Sequence, residues 1–394
     1  MKVLQINSVC GIRSTGRICT DIAQVLEVEG HECKIAYGRE NVPEQHQKYA
    51  HAITNVWGNR LDGLKTRLFD NAGFNSTRVT KRFVRWMKEY DPDVIHLHNL
   101  HGYYINVDVL FRALKQMDKP VVWTLHDCWS FTGHCSHFSV AKCEKWKSSC
   151  YNCLQTRIYP ASFGFDRSKK NHEEKKKAFT GINKMTIVTP SQWLADLVKQ
   201  SFLKEYDVQV IPNGIDLDVF RPTEGNFREK HGLLDKKIVL AVASAWGKNK
   251  GLYDLFKLAD LLRDEYRVVI VGLKPEQMKL VPENVTGITR TNNTQELAHI
   301  YTTADIFVNP TYQDTYPTVN LEAQACGTPV LTYRTGGSVE SVPPEQVVDQ
   351  GDWYGLCEAI KQMESCTALQ VDFSAKNTFY KYVELYTSKQ RNKK

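Results

Sequence analysis

The chain has 394 residues, of which 42% are hydrophobic and 24% charged, with a formal net charge of +7. That balance excludes a disordered or membrane-embedded chain, and the length excludes a single core, because cores stop growing near about 250 residues. The charge is compatible with an anionic partner and equally with an ordinary basic surface. No apolar run approaches the roughly 20 residues of a spanning helix, and polar Asn7 breaks the first strand before an export signal could form. A cytoplasmic protein is expected, and its 11 cysteines are weighed as reduced metal ligands or packing residues before disulfides.

In chain order, short β-type runs alternate with helical patterns, the signature of parallel sheets built from βαβ units. Strands are expected over 2–6, 33–37, 94–97, 121–125, 186–188 and 208–211, forming one sheet. Between the second and third, the stretch 65–88 interleaves Lys65, Arg67, Arg78, Lys81, Arg82, Arg85 and Lys88 with Leu68, Phe69, Phe74, Phe83, Trp86 and Met87. It reads either as a basic amphipathic helix resting on an anionic membrane or as a solvated face packed on its own domain. The turn-rich segment 212–222 is expected to link the domains. A second sheet follows over 238–242, 268–271, 287–289, 306–308 and 330–332, with helices near 252–263, 294–302, 318–325 and 353–363. A last apolar helix over 373–386 is placed across the first domain, ahead of a frayed basic tail over 389–394. The expected domains are therefore 1–213, with a Cys-rich insertion over 128–153, then 214–372, and the returning segment 373–394.

Four constellations could carry chemistry. The loop after the first strand, from Gly11 through Thr15 and Gly16 to Arg17, opens a helix whose amides would attract phosphate. Arg17 and Ile18 stand where a Walker A loop needs Lys and Ser or Thr, and the spacing is not that of a dinucleotide fold, so ATP and NAD are disfavoured. At the carboxyl ends of adjacent strands lie His96, His98, Asn99 and His101, then His126 and Asp127; His126 is the chosen candidate. In the second half Lys248 and Lys250 flank a helix start, a suitable grip for a diphosphate. The most specific stretch is 309–330, where Asp314 lies in a loop after a strand and Glu322 one turn into the helix opened by Thr318 and Val319. There, carboxylates could accept sugar hydroxyls while helix amides hold phosphate.

Taken together these pieces resemble the family-4 retaining glycosyltransferases of the GT-B fold, of the capsule and exopolysaccharide type. The matching segments are Asp91-Pro92-Asp93-Val94-Ile95-His96-Leu97-His98, Thr124-Leu125-His126-Asp127, Val188-Thr189-Pro190-Ser191, Ile211-Pro212-Asn213-Gly214-Ile215-Asp216, Lys250-Gly251 and 310–340. Two departures stand out: Asp314 replaces the first Glu of the family's Glu-x7-Glu, and Ala245 and Trp246 occupy the region of its phosphate-binding Arg. The resemblance implies two Rossmann-like domains facing a cleft and a nucleotide-sugar donor on the second. Glu322 would bond the ribose and Asp314 the donor sugar, with Arg290 bordering the base. Lys248, Lys250, Thr318 and Val319 would hold the diphosphate. From the first domain His126 would reach the sugar, and Thr15 and Gly16 would border the diphosphate or acceptor. It further implies a saccharide acceptor, lipid-diphosphate-linked, at the inner membrane face. No cofactor is needed for catalysis and no nucleic acid is involved. An Asp-x-Asp metal site is rejected because Asp91 and Asp93 precede a strand and Asp216 and Asp218 sit in the linker. An epimerase or a non-catalytic sugar-nucleotide binder are the competing functions. Separately, Cys135, Cys143, Cys150 and Cys153, with two residues between the last pair, are expected to hold a structural zinc.

Overall fold

The computed structural model describes residues 1–363 and 373–391. The expected domain end at residue 372 and the last three residues of the basic tail lie outside them. The chain divides into two units, Met1–Pro212 with Lys376–Lys394, and Asn213–Ala375.

The first unit is an all-parallel sheet of β1 (Lys2–Asn7), β2 (Glu32–Tyr37), β3 (Ala50–Ala52), β4 (Val94–Leu97), β5 (Val121–Thr124), β6 (Met185–Thr189) and β7 (Asp207–Val210), in the order β3-β2-β1-β4-β5-β6-β7. Strands β4, β5 and β6 are buried along their whole length, as unbroken β-branched and aromatic runs require when helices cover both faces. The helices are α1 (Arg13–Val28), α2 (Val56–Phe69), α3 (Thr77–Tyr90), α4 (Val107–Met117), α5 (Ser168–Phe179) and α6 (Gln192–Lys199). Asn55, Asn106 and Ser191 cap three of them by accepting from the N–H of Gly58, Val109 and Leu194, each cap stabilising by about 1 kcal/mol. Asp70, Asp91 and Asp118 end α2, α3 and α4 in the left-handed conformation, which Asp tolerates better than most side chains.

The stretch 65–88 is not one helix. It spans the end of α2, a loop, and α3. Phe83 and Met87 join the main core, with Phe74 and Trp86 packed against it. The apolar side of α3 therefore faces its own domain, while Arg78, Lys81, Arg82, Arg85 and Lys88 face solvent.

The second unit is also parallel: β8 (Lys237–Val242), β9 (Tyr266–Val271), β10 (Val285–Ile288), β11 (Ile306–Asn309), β12 (Val330–Tyr333) and β13 (Val347–Val348) lie in the order β10-β9-β8-β11-β12-β13. Its helices are α7 (Phe227–His231), α8 (Leu252–Leu261), α9 (Pro275–Met278), α10 (Thr294–Thr303), α11 (Thr318–Ala325) and α12 (Trp353–Gln362). Helix α13 (Ala375–Arg391) returns to the first unit. There the Tyr386 hydroxyl lies 2.6 Å from His96 Nδ1 and that of Tyr382 lies 3.1 Å from Thr124 Oγ1. Burying Phe379, Tyr382, Leu385 and Tyr386 contributes roughly 1.5–3 kcal/mol for each such side chain.

The Cys-rich insertion has an aromatic core. Trp129, Phe131, Phe138 and Trp146 are buried with the main cluster, and the Phe138 and Trp146 rings stack at 4.8 Å. Lys175 from α5 is buried beneath them, donating to the carbonyls of Trp129 and Thr132 at 2.7 and 3.0 Å.

Candidate active site

In an open parallel sheet, neighbouring strands whose connections leave in opposite directions open a crevice at their carboxyl ends. The strand orders place such a switch between β1 and β4 in the first unit and between β8 and β11 in the second. His126, Lys248, Lys250, Asp314, Thr318, Val319 and Glu322 lie on loops and helices that follow the strands at or next to these points, whereas Arg290 follows edge strand β10.

In the second unit the chain leaves β8, turns at Lys248–Lys250 and enters α8 through Gly251. Gly251 has φ +74°, and a Cβ there would meet the Pro310 carbonyl oxygen at 2.2 Å. Only glycine lets this turn lie so close to the loop after β11. The two loops are tied together: Tyr312 N–H donates to the Asn249 carbonyl at 2.9 Å and Asn249 Nδ2 to Gln313 Oε1 at 3.2 Å. They bring Lys250 Nζ to 2.6 Å from Asp314 Oδ2. A lysine and a carboxylate are thus paired beside the N-terminus of α11. Thr318 and Val319 open that helix, so their N–H groups have no acceptor within it and add a positive field.

Glu322 is a buried carboxylate. It is 3% exposed, and Tyr301 Oη donates to its Oε2 at 3.0 Å. Lys248 is exposed at the start of its turn, and Arg290 is exposed on the loop after edge strand β10. No hydrogen bond brings either to Lys250 or Asp314.

In the first unit His126 follows β5. Its Nε2 lies 3.1 Å from His98 Nδ1, and His98 Nε2 lies 3.0 Å from Gln5 Oε1. Gln5 Nε2 donates to the Cys19 carbonyl at 2.8 Å, which fixes its oxygen toward His98. His98 must therefore carry its proton on Nε2. Burial drives the pKa of His98 far down, so its Nδ1 is a lone pair, and His126 must donate to it from Nε2. Burial also holds His126 neutral, with a pKa near 4. Its Nδ1 is then an acceptor, suited to a sugar hydroxyl. Beside it, burial would raise Asp127, yet the His101 imidazole at 2.7 Å holds that carboxyl down near 2. His101 in turn meets the Tyr159 hydroxyl at 3.0 Å.

The first loop departs from expectation. Arg13 already begins α1, so Thr15 and Gly16 are helical rather than part of a phosphate-cradling loop. Gly16 is buried, and a Cβ there would meet Val9 at 3.1 Å. Its small size serves the packing of α1, while Thr15 in the first turn still presents an amide without an intrahelical acceptor.

Among the described residues, no three or more His, Cys, Asp or Glu side chains form a group that could hold a metal ion. Of the four cysteines expected to bind zinc, Cys135 and Cys153 interact, which pushes the Cys135 thiol up and the Cys153 thiol down to about 6. Cys150 Sγ accepts from Gly133 N–H at 3.1 Å.

Two family models match along the chain: Glycosyltransferase Family 4 over residues 15–219 and Glycosyl transferases group 1 over residues 223–378. The chain is a family-4 glycosyltransferase of the GT-B fold. Among relatives of this glycosyltransferase, the Escherichia coli (strain K12) protein named for colanic acid biosynthesis, glycosyl transferase WcaC, is 25% identical over 358 residues, 86% of this chain and 85% of its own. A Campylobacter jejuni N,N'-diacetylbacillosaminyl-diphospho-undecaprenol alpha-1,3-N-acetylgalactosaminyltransferase is 31% identical over 159 residues, 38% of this chain and 42% of that one. The crystal structure of Anabaena HepE in complex with UDP-glucose superposes with a TM-score of 0.69 at 15% identity, over 98% of this chain and 100% of that one. A Staphylococcus aureus relative, 23% identical over 184 residues, is named as a capsular polysaccharide biosynthesis glycosyltransferase.

The residues that sequence reasoning missed are second partners. Gln5, Asn249 and Tyr301 orient His98, the lysine turn and Glu322, but each lies in an apolar or featureless run. Their partners are 93, 64 and 21 positions away, respectively, so no local spacing marks them.

Proposed function

We propose that this glycosyltransferase takes its sugar from a uridine diphosphate donor held by the second unit. The sugar passes with retained anomeric configuration to a lipid-diphosphate-linked saccharide held by the first. The observation that carries this reading is the Lys250–Asp314 pair at the N-terminus of α11, on the switch point of the sheet. When the sugar bond breaks, negative charge grows on the departing diphosphate, and an ammonium and fixed helix amides act most strongly there. Asp314 would exchange its lysine partner for hydroxyls of the donor sugar. Glu322, oriented by Tyr301, would take the ribose, with Lys248 and Arg290 at the diphosphate and base. His126 would accept a hydroxyl of the sugar through Nδ1.

The acceptor assignment follows the activity for which the Campylobacter relative is named, and the base follows the UDP-glucose bound to HepE. Lysines and helix amides supply the counter-charge, so activity is expected to survive EDTA. Calorimetric titration with UDP and with GDP tests the donor: tight UDP and weak GDP binding supports it, and the reverse order removes the uridine assignment. A structural zinc at Cys135, Cys143, Cys150 and Cys153 is a separate proposal that rests on the two-residue spacing of Cys150 and Cys153; the four thiols do not stand grouped as metal ligands, so binding would require the insertion to rearrange. About one zinc per chain after purification without chelator is expected for a closed thiolate site. Metal-free protein with an unchanged melting temperature would remove it.

A further inference from the structure

Helix α2 is built inside out. Its inward face is polar: Asp62 accepts from Ser76 Oγ, from Asn75 Nδ2 at 3.1 Å and from Thr66 Oγ1 at 3.4 Å, and Asn59 Nδ2 donates to the Gly38 carbonyl at 2.6 Å. Its outward face carries Trp57, Leu61, Leu64 and Leu68, at the spacing of one helical stripe, and these are 69, 59, 53 and 47% exposed. A second element extends the stripe. The loop after Pro160 is fastened to the end of α2, with Phe163 N–H donating to the Arg67 carbonyl at 2.8 Å. A Cβ on Gly164 would meet the Leu68 carbonyl oxygen at 2.5 Å. That close docking leaves Phe163 and Phe165 exposed, the latter stacked on Phe69 at 6.1 Å.

The charges on this surface are mostly of one sign. Arg60, Lys65 and Arg67 are exposed on α2, while its single acid, Asp62, is buried. The segment 154–165 contains Arg157 and no acidic residue. An apolar stripe bordered mainly by cations, with the exposed acid Asp166 after Phe165 tied back to the Cys153 and Ser168 N–H groups, suits the interface of an anionic bilayer, where the stripe enters the headgroup boundary and the cations stay with the phosphates. A second copy of this chain is disfavoured, because a two-fold interface would set Arg60, Lys65 and Arg67 against themselves. The surface also lies near the site, since Tyr159 bonds His101, which bonds Asp127 beside His126.

We infer that the outward stripe of α2, with Phe163 and Phe165, inserts into the surface of an anionic phospholipid bilayer and holds the enzyme where a lipid-linked acceptor is presented. The purpose of this contact rests on the acceptor reading above, but the contact itself does not.

The test is flotation of the full chain with vesicles of phosphatidylcholine alone and of phosphatidylcholine mixed with phosphatidylglycerol. Binding is expected only with the anionic lipid. The exposed-site variants Leu61→Ser/Leu64→Ser and Phe163→Ser/Phe165→Ser are each expected to lose at least about tenfold in partitioning, with unchanged melting curves. Charge reversal at Arg60 and Lys65 should do the same, whereas reversal at Lys81 and Arg85 on α3 should have the smaller effect. Binding that ignores the α2 and loop variants, or that depends on α3 instead, overturns the inference. So does a concentration-dependent dimer abolished by Leu61→Ser/Leu64→Ser, which would give the face to a second copy. Sugar release from the donor in detergent separates this inference from the functional reading: intact turnover with no vesicle binding defeats only the docking surface.

Discussion

Replacing Lys250 with alanine separates a structural role from a chemical one, because the two carry different magnitudes. Lys250 Nζ lies 2.6 Å from Asp314 Oδ2, with the two side chains 38% and 16% exposed. A pair that open to solvent contributes about 0–1 kcal/mol to stability, so Lys250→Ala should lower Tm by no more than about 4 °C. If the ammonium meets the leaving diphosphate, it makes a charge-assisted hydrogen bond of about 1.5–3 kcal/mol. Because that charge develops during reaction, the loss should fall on kcat, by about 10- to 150-fold, and less on nucleotide affinity. Initial rates of sugar transfer, UDP affinity by calorimetry and a melting curve on the same preparation measure the three quantities. Asp314→Ala alone and with Lys250→Ala completes a cycle. A lysine that only positions Asp314 would leave the double variant no worse than Asp314→Ala. That result, or an unchanged kcat in Lys250→Ala, would refute the reasoning.

Three further outcomes are expected. Glu322→Ala should weaken nucleotide binding by about 1.5–3 kcal/mol, and Tyr301→Phe, which removes the hydroxyl that orients it, should weaken it less; calorimetry that finds normal affinity in both removes Glu322 from the site. Gln5→Leu deletes the acceptor that sets the His98 proton, so His126 should lose its fixed tautomer and kcat should fall while UDP affinity is kept; imidazole nitrogen NMR that shows the same His126 tautomer in both proteins would contradict the relay. His134 and Asp70 form a fully buried pair: burial pulls the His134 pKa down, but the Asp70 carboxylate prevails and the net shift is upward. The stability from that pair is complete below the unfolded value of about 6.5 and is lost as pH rises through the higher folded value. Asp70→Ala should therefore cost about 3–5 kcal/mol at pH 6 and a smaller amount at high pH, and urea titrations showing a constant difference would contradict the linkage.

What could be read from sequence follows from how each element announces itself. The central strands β4, β5, β8 and β11 are apolar runs followed by polar residues, so their places were legible. Edge strands β3 and β13 have three and two residues, too few for any alternation, and were missed. Helix α2 defeats the amphipathic rule because its buried face is Asp62, Gly63 and Thr66, so the stretch 65–88 was joined into one helix when Asp70 and Ser76 in fact divide it. The aromatic core of the insertion is not legible in the sequence, because Trp129, Phe131, Phe138 and Trp146 are spread among lysines and serines, and only folding gathers them. Among the candidate residues of the two units, Lys250, Asp314 and Thr318 in the second and His126 in the first are singled out by punctuation and strand ends. The burial of Glu322 and the tautomer chain behind His126 depend on Tyr301, His98 and Gln5 meeting in space, which spacing along the chain does not encode.

The central claim is sugar transfer from a nucleotide donor to a lipid-linked acceptor, and it is tested most directly by incubating the full chain with radiolabelled UDP-sugars, with and without bacterial membranes. The account expects label to move into the lipid-extractable fraction only when membranes are present, and to do so in EDTA. Label that stays on nucleotide as an altered sugar would make the protein an epimerase. Label retained unchanged on the protein, with no transfer to any membrane fraction, would make it a binding module, and either result would contradict the account.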